Sequence, residues 1–215
     1  MNVIFDNFPL YLQGFASTLQ LFALSGLAAL ILGTVVAAMR ISPIAALSRT
    51  AEVYTELLRN TPLVLVFFFF VFVAALVGPR LDYLTSALVA LSLYTAPFIA
   101  EALRSGINGV PIGQAEAARS LGMGFGQSVT LVILPQAFRM VIPPLINVFI
   151  ALAKNTSVAS GFFIGELILV GKKLANANGD NIIPALVAVA VFYLVITIPL
   201  GVLSSRLEKK WVVAR

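Results

Sequence analysis

Four apolar blocks of this sequence carry no charged residue, and each has the length of a membrane-crossing helix. They cover 33 residues after Asp6, 20 after Arg59, 18 after Asp82 and 25 after Asp180. A helix needs roughly 20 apolar residues to cross about 30 Å of hydrocarbon. A chain that is 60% hydrophobic and 11% charged also has too little polar surface to cover a soluble globule. The sequence therefore predicts an all-α integral membrane protein.

Five membrane spans follow from these blocks and from a shorter apolar stretch after Arg139. We predict them at about 15–39, 61–78, 83–103, 136–153 and 184–205. Only 14 charge-free residues follow Arg139 in the fourth span, where Pro143 and Pro144 predict a kink covered by neighbouring helices. Before the fifth span we predict a short external or re-entrant helix, Val158–Val170, and then a turn at 175–181.

The distribution of basic residues predicts how these spans are oriented. With the N-terminus outside, the cytoplasmic set is Arg40, Arg49, Arg59, Arg104, Arg119, Arg139, Arg206, Lys209, Lys210 and Arg215. The external set is Arg80, Lys172 and Lys173, with Lys154 at the external end of the fourth span. Because cytoplasmic loops are enriched in Lys and Arg, we expect an external N-terminus and a cytoplasmic C-terminus. The same enrichment accounts for the net charge of +5 without a nucleic-acid partner. We expect the chain, 1–215, to form one transmembrane domain.

The sequence lacks the residues that several kinds of catalytic and metal site require. The sequence has no cysteine and no histidine, which removes thiolate sites, the commonest metal ligand and the usual proton shuttle. A P-loop needs G-x-x-x-x-G-K-[ST]. The nearest stretch, from Gly165 to Lys173, has one residue too many and no hydroxyl for magnesium. We therefore expect no catalytic residue, no metal site and no ATP hydrolysis in this chain.

A polar segment between two spans, Arg104–Gly126, has the composition of a protein-docking element. Pro111 suits the start of a helix, and Gly113–Leu121 can form two turns. Three apolar side chains and three glycines that permit a chain reversal follow: Leu121, Met123, Phe125, Gly122, Gly124 and Gly126. On composition alone, an ordinary loop between spans is the simpler interpretation.

Four stretches resemble the polar-amino-acid branch of the ATP-binding-cassette importer permeases. They are YTELLRNTPL (54–63), APFIAEALRSGINGVPIGQAEAARSLGM (96–123), VILPQAFRMVIPPLINVFI (132–150) and KNTSVAS (154–160). The second and third contain that family's EAA loop: Glu-Ala-Ala, three residues, Gly, nine residues, then Val-Ile-Leu-Pro. The stretches lie between Tyr54 and Ser160, a span of close to half the chain, in the family's order and spacing. The resemblance implies about five helices of the type I importer permease fold.

The resemblance also implies a motor outside this chain. The positions that would couple to it are Glu116, Ala117, Ala118, Leu121, Gly122 and Met123. The implied partners are a P-loop ATPase dimer that binds ATP and magnesium, a second permease subunit, identical or related, and an extracytoplasmic solute-binding protein. The implied location is the bacterial cytoplasmic membrane. Asn155 departs from the family pattern, because relatives often carry aspartate there.

Polar side chains within or beside the spans are candidates for the solute path, because they are costly in hydrocarbon. They are Arg59, Asn60, Thr61, Glu101, Asn147, Lys154, Asn155, Thr156 and Ser157. Some of these residues also have purely structural interpretations. Arg59 can bind a lipid phosphate, Glu101 can pair with Arg104, and Asn147 can form a hydrogen bond with a neighbouring helix. Basic candidates slightly outnumber acidic ones, which favours an acidic or neutral amino acid, glutamate among them, over arginine or lysine.

Two other functions remain open from the sequence. An ion-coupled secondary amino-acid transporter predicts an inverted repeat and midplane carboxylates, and neither is visible. A non-transporting scaffold explains the segment 104–126 but not the matches at 54–63 and 154–160. We therefore favour the permease subunit of a binding-protein-dependent importer of a polar amino acid. The direction of transport follows only from the resemblance.

Overall fold

The computed structural model describes residues 2–177 and 182–211, and these residues form helices without any strand. In chain order the α-helices are α1 (Asn2–Asp6), α2 (Phe8–Arg40), α3 (Ala45–Arg59), α4 (Leu63–Phe68), α5 (Ala74–Val77), α6 (Tyr83–Asn108), α7 (Ile112–Ser120), α8 (Phe125–Gln127), α9 (Leu134–Asn155), α10 (Leu167–Ala177) and α11 (Ile182–Trp211). Two π-helical segments, Phe69–Val73 and Ser128–Ile133, join α4 to α5 and α8 to α9. A 3₁₀ segment, Thr156–Phe162, follows α9.

Four helical segments are long and apolar enough to cross a membrane: α2, α6, α11 and the continuous stretch Phe125–Phe162. A fifth candidate consists of α3 and Leu63–Val77, which meet at a bend of 104°. The bend falls before Pro62, whose ring disfavours a helical conformation for the preceding residue. Four to five candidate spans in an all-α chain confirm the fold class predicted from the sequence.

Helix α3 was not predicted from the sequence. One face of this helix packs against the bundle: Ala51 and Thr55 are buried, and the Tyr54 hydroxyl donates to the Leu93 carbonyl oxygen at 2.7 Å. These residues are spaced three or four apart, which is the period of a helix with one apolar face. Four charged residues are distributed along α3, so no charge-free block marks this helix in the sequence: Arg49, Glu52, Glu56 and Arg59.

The helix predicted at Val158–Val170 is wrong in its bounds. The 3₁₀ segment ends at Phe162, and α10 begins only at Leu167. Phe163, between them, has a left-handed φ of 62°, which interrupts the helix. The turn predicted at 175–181 falls partly on α10, which continues to Ala177, and the rest of it lies outside the described residues.

Helices α2 and α6 pack closely because small residues lie between them. A Cβ atom at Gly33 would lie 2.7 Å from the Ile99 Cβ and 2.8 Å from the Ala96 carbonyl oxygen. Such close backbone approach stabilises helix pairs in lipid, where no hydrophobic effect drives them together. The start of α6 is fixed by Asp82, which accepts hydrogen bonds from the Thr85 hydroxyl and amide. Those bonds hold the pKa of the Asp82 carboxyl below its ordinary value.

We expect Gly33→Ala to lower the free energy of unfolding by about 1–3 kcal/mol, because the added methyl group must separate α2 from α6. Gly201→Ala is the matched control within α11, since a Cβ there meets nothing within 4 Å. Alanine in a helix is favoured over glycine by up to about 1 kcal/mol, so this control should be neutral or stabilising. Equilibrium unfolding in mixed micelles measures both variants. Equal effects at the two positions would show that α2 and α6 are not closely packed.

Candidate functional site

A cavity of about 430 Å³ lies between α6 and α9. This volume is within the usual range for small-molecule sites, roughly 300–1,000 Å³. The walls combine apolar side chains with two aromatic rings, two hydroxyls and two amides: Tyr94, Thr95, Phe98, Asn147, Val148, Ala151, Leu152 and Asn155. A few polar groups in an otherwise apolar pocket are what orients a small polar solute.

Thr95 places a buried hydroxyl without a hydrogen-bond partner among the described residues in the cavity wall. Its side chain is 3% exposed. A buried polar group without a partner costs about 1–3 kcal/mol, so a solute that supplies a donor or acceptor here gains affinity. Thr95 was not predicted from the sequence, because it lies inside a charge-free block and its burial depends on packing between helices.

Four charged side chains from three helices meet beside this cavity. Glu101 of α6 accepts hydrogen bonds from Arg104 at 2.8 and 3.3 Å, which confirms the pairing considered from their spacing. Arg40, at the end of α2, lies 3.5 Å from the same carboxylate, and Arg59, at the end of α3, lies 3.9 Å away. The proximity of Arg40 to Glu101 was not predicted, because 60 residues separate them in the sequence.

Arg59 joins the charged cluster to the cavity. Its guanidinium carbon lies 5.6 Å from the centroid of the Phe98 ring, and Phe98 is part of the cavity wall. A cation over an aromatic face at this distance is attracted by the ring's quadrupole. Tyr94 extends the aromatic wall, with its ring centroid 5.4 Å from that of Phe98.

The structure brings only some of the predicted solute-path residues to this place. Asn147 and Asn155 line the cavity, and Arg59 and Glu101 adjoin it. The Asn147 Oδ1 atom also lies 3.4 Å from the Ser204 hydroxyl of α11, as expected for an amide that bonds to a neighbouring helix.

The other candidates lie away from the cavity. Asn60 and Thr61 bond to the Glu56 and Leu57 carbonyl oxygens of the preceding turn. Lys154 is exposed and Ser157 is half-buried. Thr156 is fully buried, donates to the Ala153 carbonyl oxygen at 2.7 Å and lies 3.4 Å from the Tyr193 hydroxyl.

A second polar group in the bundle interior was also missed from the sequence. Glu166 is 0% exposed, and its carboxylate accepts from the backbone amides of Ile168 and Leu169 at 2.9 and 3.0 Å. The Tyr193 hydroxyl donates to the same carboxylate at 2.9 Å. Glu166 thus caps α10 and ties it to α11. Through Tyr193 it also reaches Thr156 of the KNTS stretch.

The segment that resembles the EAA loop folds as the short helix α7 followed by a reversal. Gly122 has a φ of 78°. The Gly122 amide donates to the Arg119 carbonyl oxygen at 2.9 Å. The Met123 amide donates to the Ala118 carbonyl oxygen at 3.1 Å. This bond pair is a Schellman motif, which needs a residue with positive φ and therefore favours glycine. The reversal expected at Gly122 is confirmed, whereas Gly124 and Gly126 do not have positive φ.

The reversal leaves one side of α7 exposed. Leu121 and Phe125 are 82% and 77% exposed, Glu116 and Ala117 are exposed, and Met123 is half-buried. Ala118 is 3% exposed, so α7 packs against the rest of the protein on the side where Ala118 lies. Large exposed apolar groups next to polar ones are typical of a surface that contacts another protein. Within the described parts of the chain, no cluster of acidic side chains could hold a metal ion.

Solved structures with this arrangement of helices define the class of fold. The chain superposes on the "Crystal structure of an amino acid ABC transporter with histidines" with a TM-score of 0.88 and 28% identity, over 96% of each chain. It superposes on an inward-facing MetNI methionine ABC transporter with a TM-score of 0.73 and 22% identity, over 95% of this chain and 97% of the other. The fold is that of the type I ABC importer permeases, as the resemblance implied.

Sequence comparison gives the family. The chain belongs to the binding-protein-dependent transport system inner membrane components, whose family pattern matches residues 29–213. It is 41% identical to a probable glutamine ABC transporter permease protein, GlnM, of Bacillus subtilis, over 98% of this chain and 99% of the relative. A glutamate transport system permease protein, GluC, of Corynebacterium efficiens is 38% identical over 98% and 97%. An arginine transport system permease protein, ArtQ, of Bacillus subtilis is 32% identical over 98% of both chains. The resemblance found in the four stretches is confirmed, and the chain is a multi-pass membrane protein.

Proposed function

We propose that this chain is the permease subunit of a binding-protein-dependent importer of a polar amino acid, in the bacterial cytoplasmic membrane. The observation that carries the proposal is the 41% identity to a probable glutamine permease along essentially the whole of both chains. Residues 1–215 form one permease domain, with the N-terminus outside and the C-terminus in the cytoplasm. The comparisons give no support to an ion-coupled secondary transporter.

In this proposal, α7 and the reversal after it dock onto a partner ATPase. Leu121, Met123 and Phe125 enter a groove on the ATPase, and Glu116 adds a polar anchor. The small side chains of Ala117, Ala118 and Gly122 allow α7 to approach the ATPase closely. The ATPase dimer binds and hydrolyses ATP with magnesium, and this chain carries no catalytic group. ATP and the loaded binding protein bind the outward-open state more tightly, and that difference shifts the population between states.

The cavity between α6 and α9 is the proposed solute site. Thr95 offers an unpaired hydroxyl, and Asn147 and Asn155 offer amides that both donate and accept. Such groups suit the polar side chain of glutamine or glutamate, the solutes named for two of the relatives. A second permease subunit, identical or related, completes the pathway, and an extracytoplasmic binding protein delivers the solute.

Capture of the ATPase by this chain tests the proposal. We expect the tagged chain, purified in mild detergent from its own cells, to bring down a P-loop ATPase identified by mass spectrometry. Leu121→Asp should abolish that capture, because it places a charge on an apolar contact, and should leave stability unchanged, because the side chain is 82% exposed. Ile44→Asp is the matched control, since Ile44 is 57% exposed in the turn between α2 and α3.

Two results would count against this function. A well-folded parent chain that captures no ATPase removes the import proposal. Equal loss with Leu121→Asp and Ile44→Asp removes α7 and its reversal as the joint, while leaving the ATPase as a partner.

A further inference from the structure

Arg59 lies where the proposed solute site meets the charged cluster. Its guanidinium packs over Phe98, which lines the cavity, and its side chain is 44% exposed. The residue therefore reaches the cavity wall from one side and Glu101 from the other. A solute that moves along the cavity past Phe98 meets this guanidinium.

Glu101 binds Arg59 less tightly than it binds its other partners. Arg104 donates to both Glu101 oxygens, and Arg40 lies 3.5 Å from one of them. The distance from Arg59 to Glu101, 3.9 Å, is beyond hydrogen-bond length. Three guanidinium groups share one carboxylate, so the cluster holds two positive charges in excess. Arg59 lies farthest from the Glu101 carboxylate, and it is the arginine that packs against the cavity wall at Phe98.

We propose that Arg59 receives the α-carboxylate of the amino acid at the Phe98 end of the cavity, releasing Glu101 as it does so. The inference rests on the amino-acid import proposed above. A guanidinium offers two parallel N–H donors that match the two oxygens of a carboxylate. The solute's side chain then extends along the cavity toward Thr95 and the asparagines. The excess positive charge disfavours lysine and arginine and admits neutral and acidic amino acids.

Carboxylate-dependent binding tests this role. The full chain in lipid nanodiscs is titrated with L-glutamine and with L-glutaminamide, in which a carboxamide replaces the α-carboxylate. We expect the parent to bind glutamine at least about tenfold more tightly, as is usual for a hydrogen-bonded charge pair. Arg59→Gln should abolish this preference, and Arg59→Lys should keep part of it. Arg49→Gln, on the same helix but paired with Glu52 at the surface, should keep it all.

The preference between the two ligands separates recognition from a structural role. Arg59→Gln that weakens both ligands equally, or lowers the melting temperature while retaining the preference, overturns the proposal. A parent chain that binds neither ligand, or binds both equally, overturns it too. These titrations need no ATPase, so their failure is distinct from a failure to capture one. A parent that prefers glutamine and captures no ATPase would support Arg59 and remove the importer.

Discussion

Replacing Glu166 with alanine is expected to destabilise the protein by about 3 kcal/mol, because three partly buried donors lose a fully buried acceptor. These donors are the amides of Ile168 and Leu169 and the hydroxyl of Tyr193. Water does not reach the carboxylate itself, since Glu166 is 0% exposed. Unfolding in mixed micelles gives the magnitude, and hydrogen exchange at the two amides shows whether the start of α10 opens first.

Two further variants sharpen this prediction. Glu166→Gln keeps one acceptor oxygen and should lose roughly half as much stability. Glu56→Ala removes an exposed glutamate from α3 and should change stability by less than about 0.5 kcal/mol. If Glu166→Ala matched Glu56→Ala, the carboxylate would not hold α10 in place. A second consequence concerns Thr156, which contacts Tyr193: loss of the network should loosen the KNTS stretch that ends α9.

The features that the sequence predicted are those written in contiguous residues. Charge-free blocks locate long apolar helices, because a helix in hydrocarbon bonds its own backbone and tolerates few charges. The reversal at Gly122 was predictable for a similar reason, since a Schellman motif depends on neighbouring residues and on one glycine. The pair Glu101–Arg104 follows from one turn of helix.

The features that the sequence did not predict depend on packing between distant segments. Arg40 and Arg59 reach Glu101 only because the ends of α2 and α3 lie against α6. In the sequence, Glu166 looks like an exposed carboxylate in a loop, and only the fold places the Tyr193 hydroxyl of α11 against it. Thr95 is an ordinary helix residue in sequence, and its unpaired hydroxyl becomes visible only once α9 covers it. Single-sequence patterns do not specify which helix faces meet.

Removing the carboxylate of Glu101 is the second change with a large expected effect. A buried ion pair that loses one partner costs about 3–5 kcal/mol, and the 20% exposure of Glu101 should reduce this to about 2 kcal/mol. Glu101→Ala leaves Arg40, Arg59 and Arg104 to repel one another at the junction of α2, α3 and α6. Unfolding in mixed micelles measures the loss.

The origin of that loss is testable with salt and a second substitution. If repulsion between arginines dominates, raising the ionic strength should recover part of the stability, because exposed charges are screened. Arg59→Gln in the Glu101→Ala background should also recover part of it, so the two effects would not add. Glu52→Ala is the matched control, because its pair with Arg49 is exposed and worth less than about 1 kcal/mol. A loss from Glu101→Ala no larger than that of this control, and unchanged by salt, would mean that the cluster does not hold the three helix ends together. In that case α3 would owe its position to the hydrogen bond of Tyr54 and to the packing of Ala51, Thr55 and Leu58.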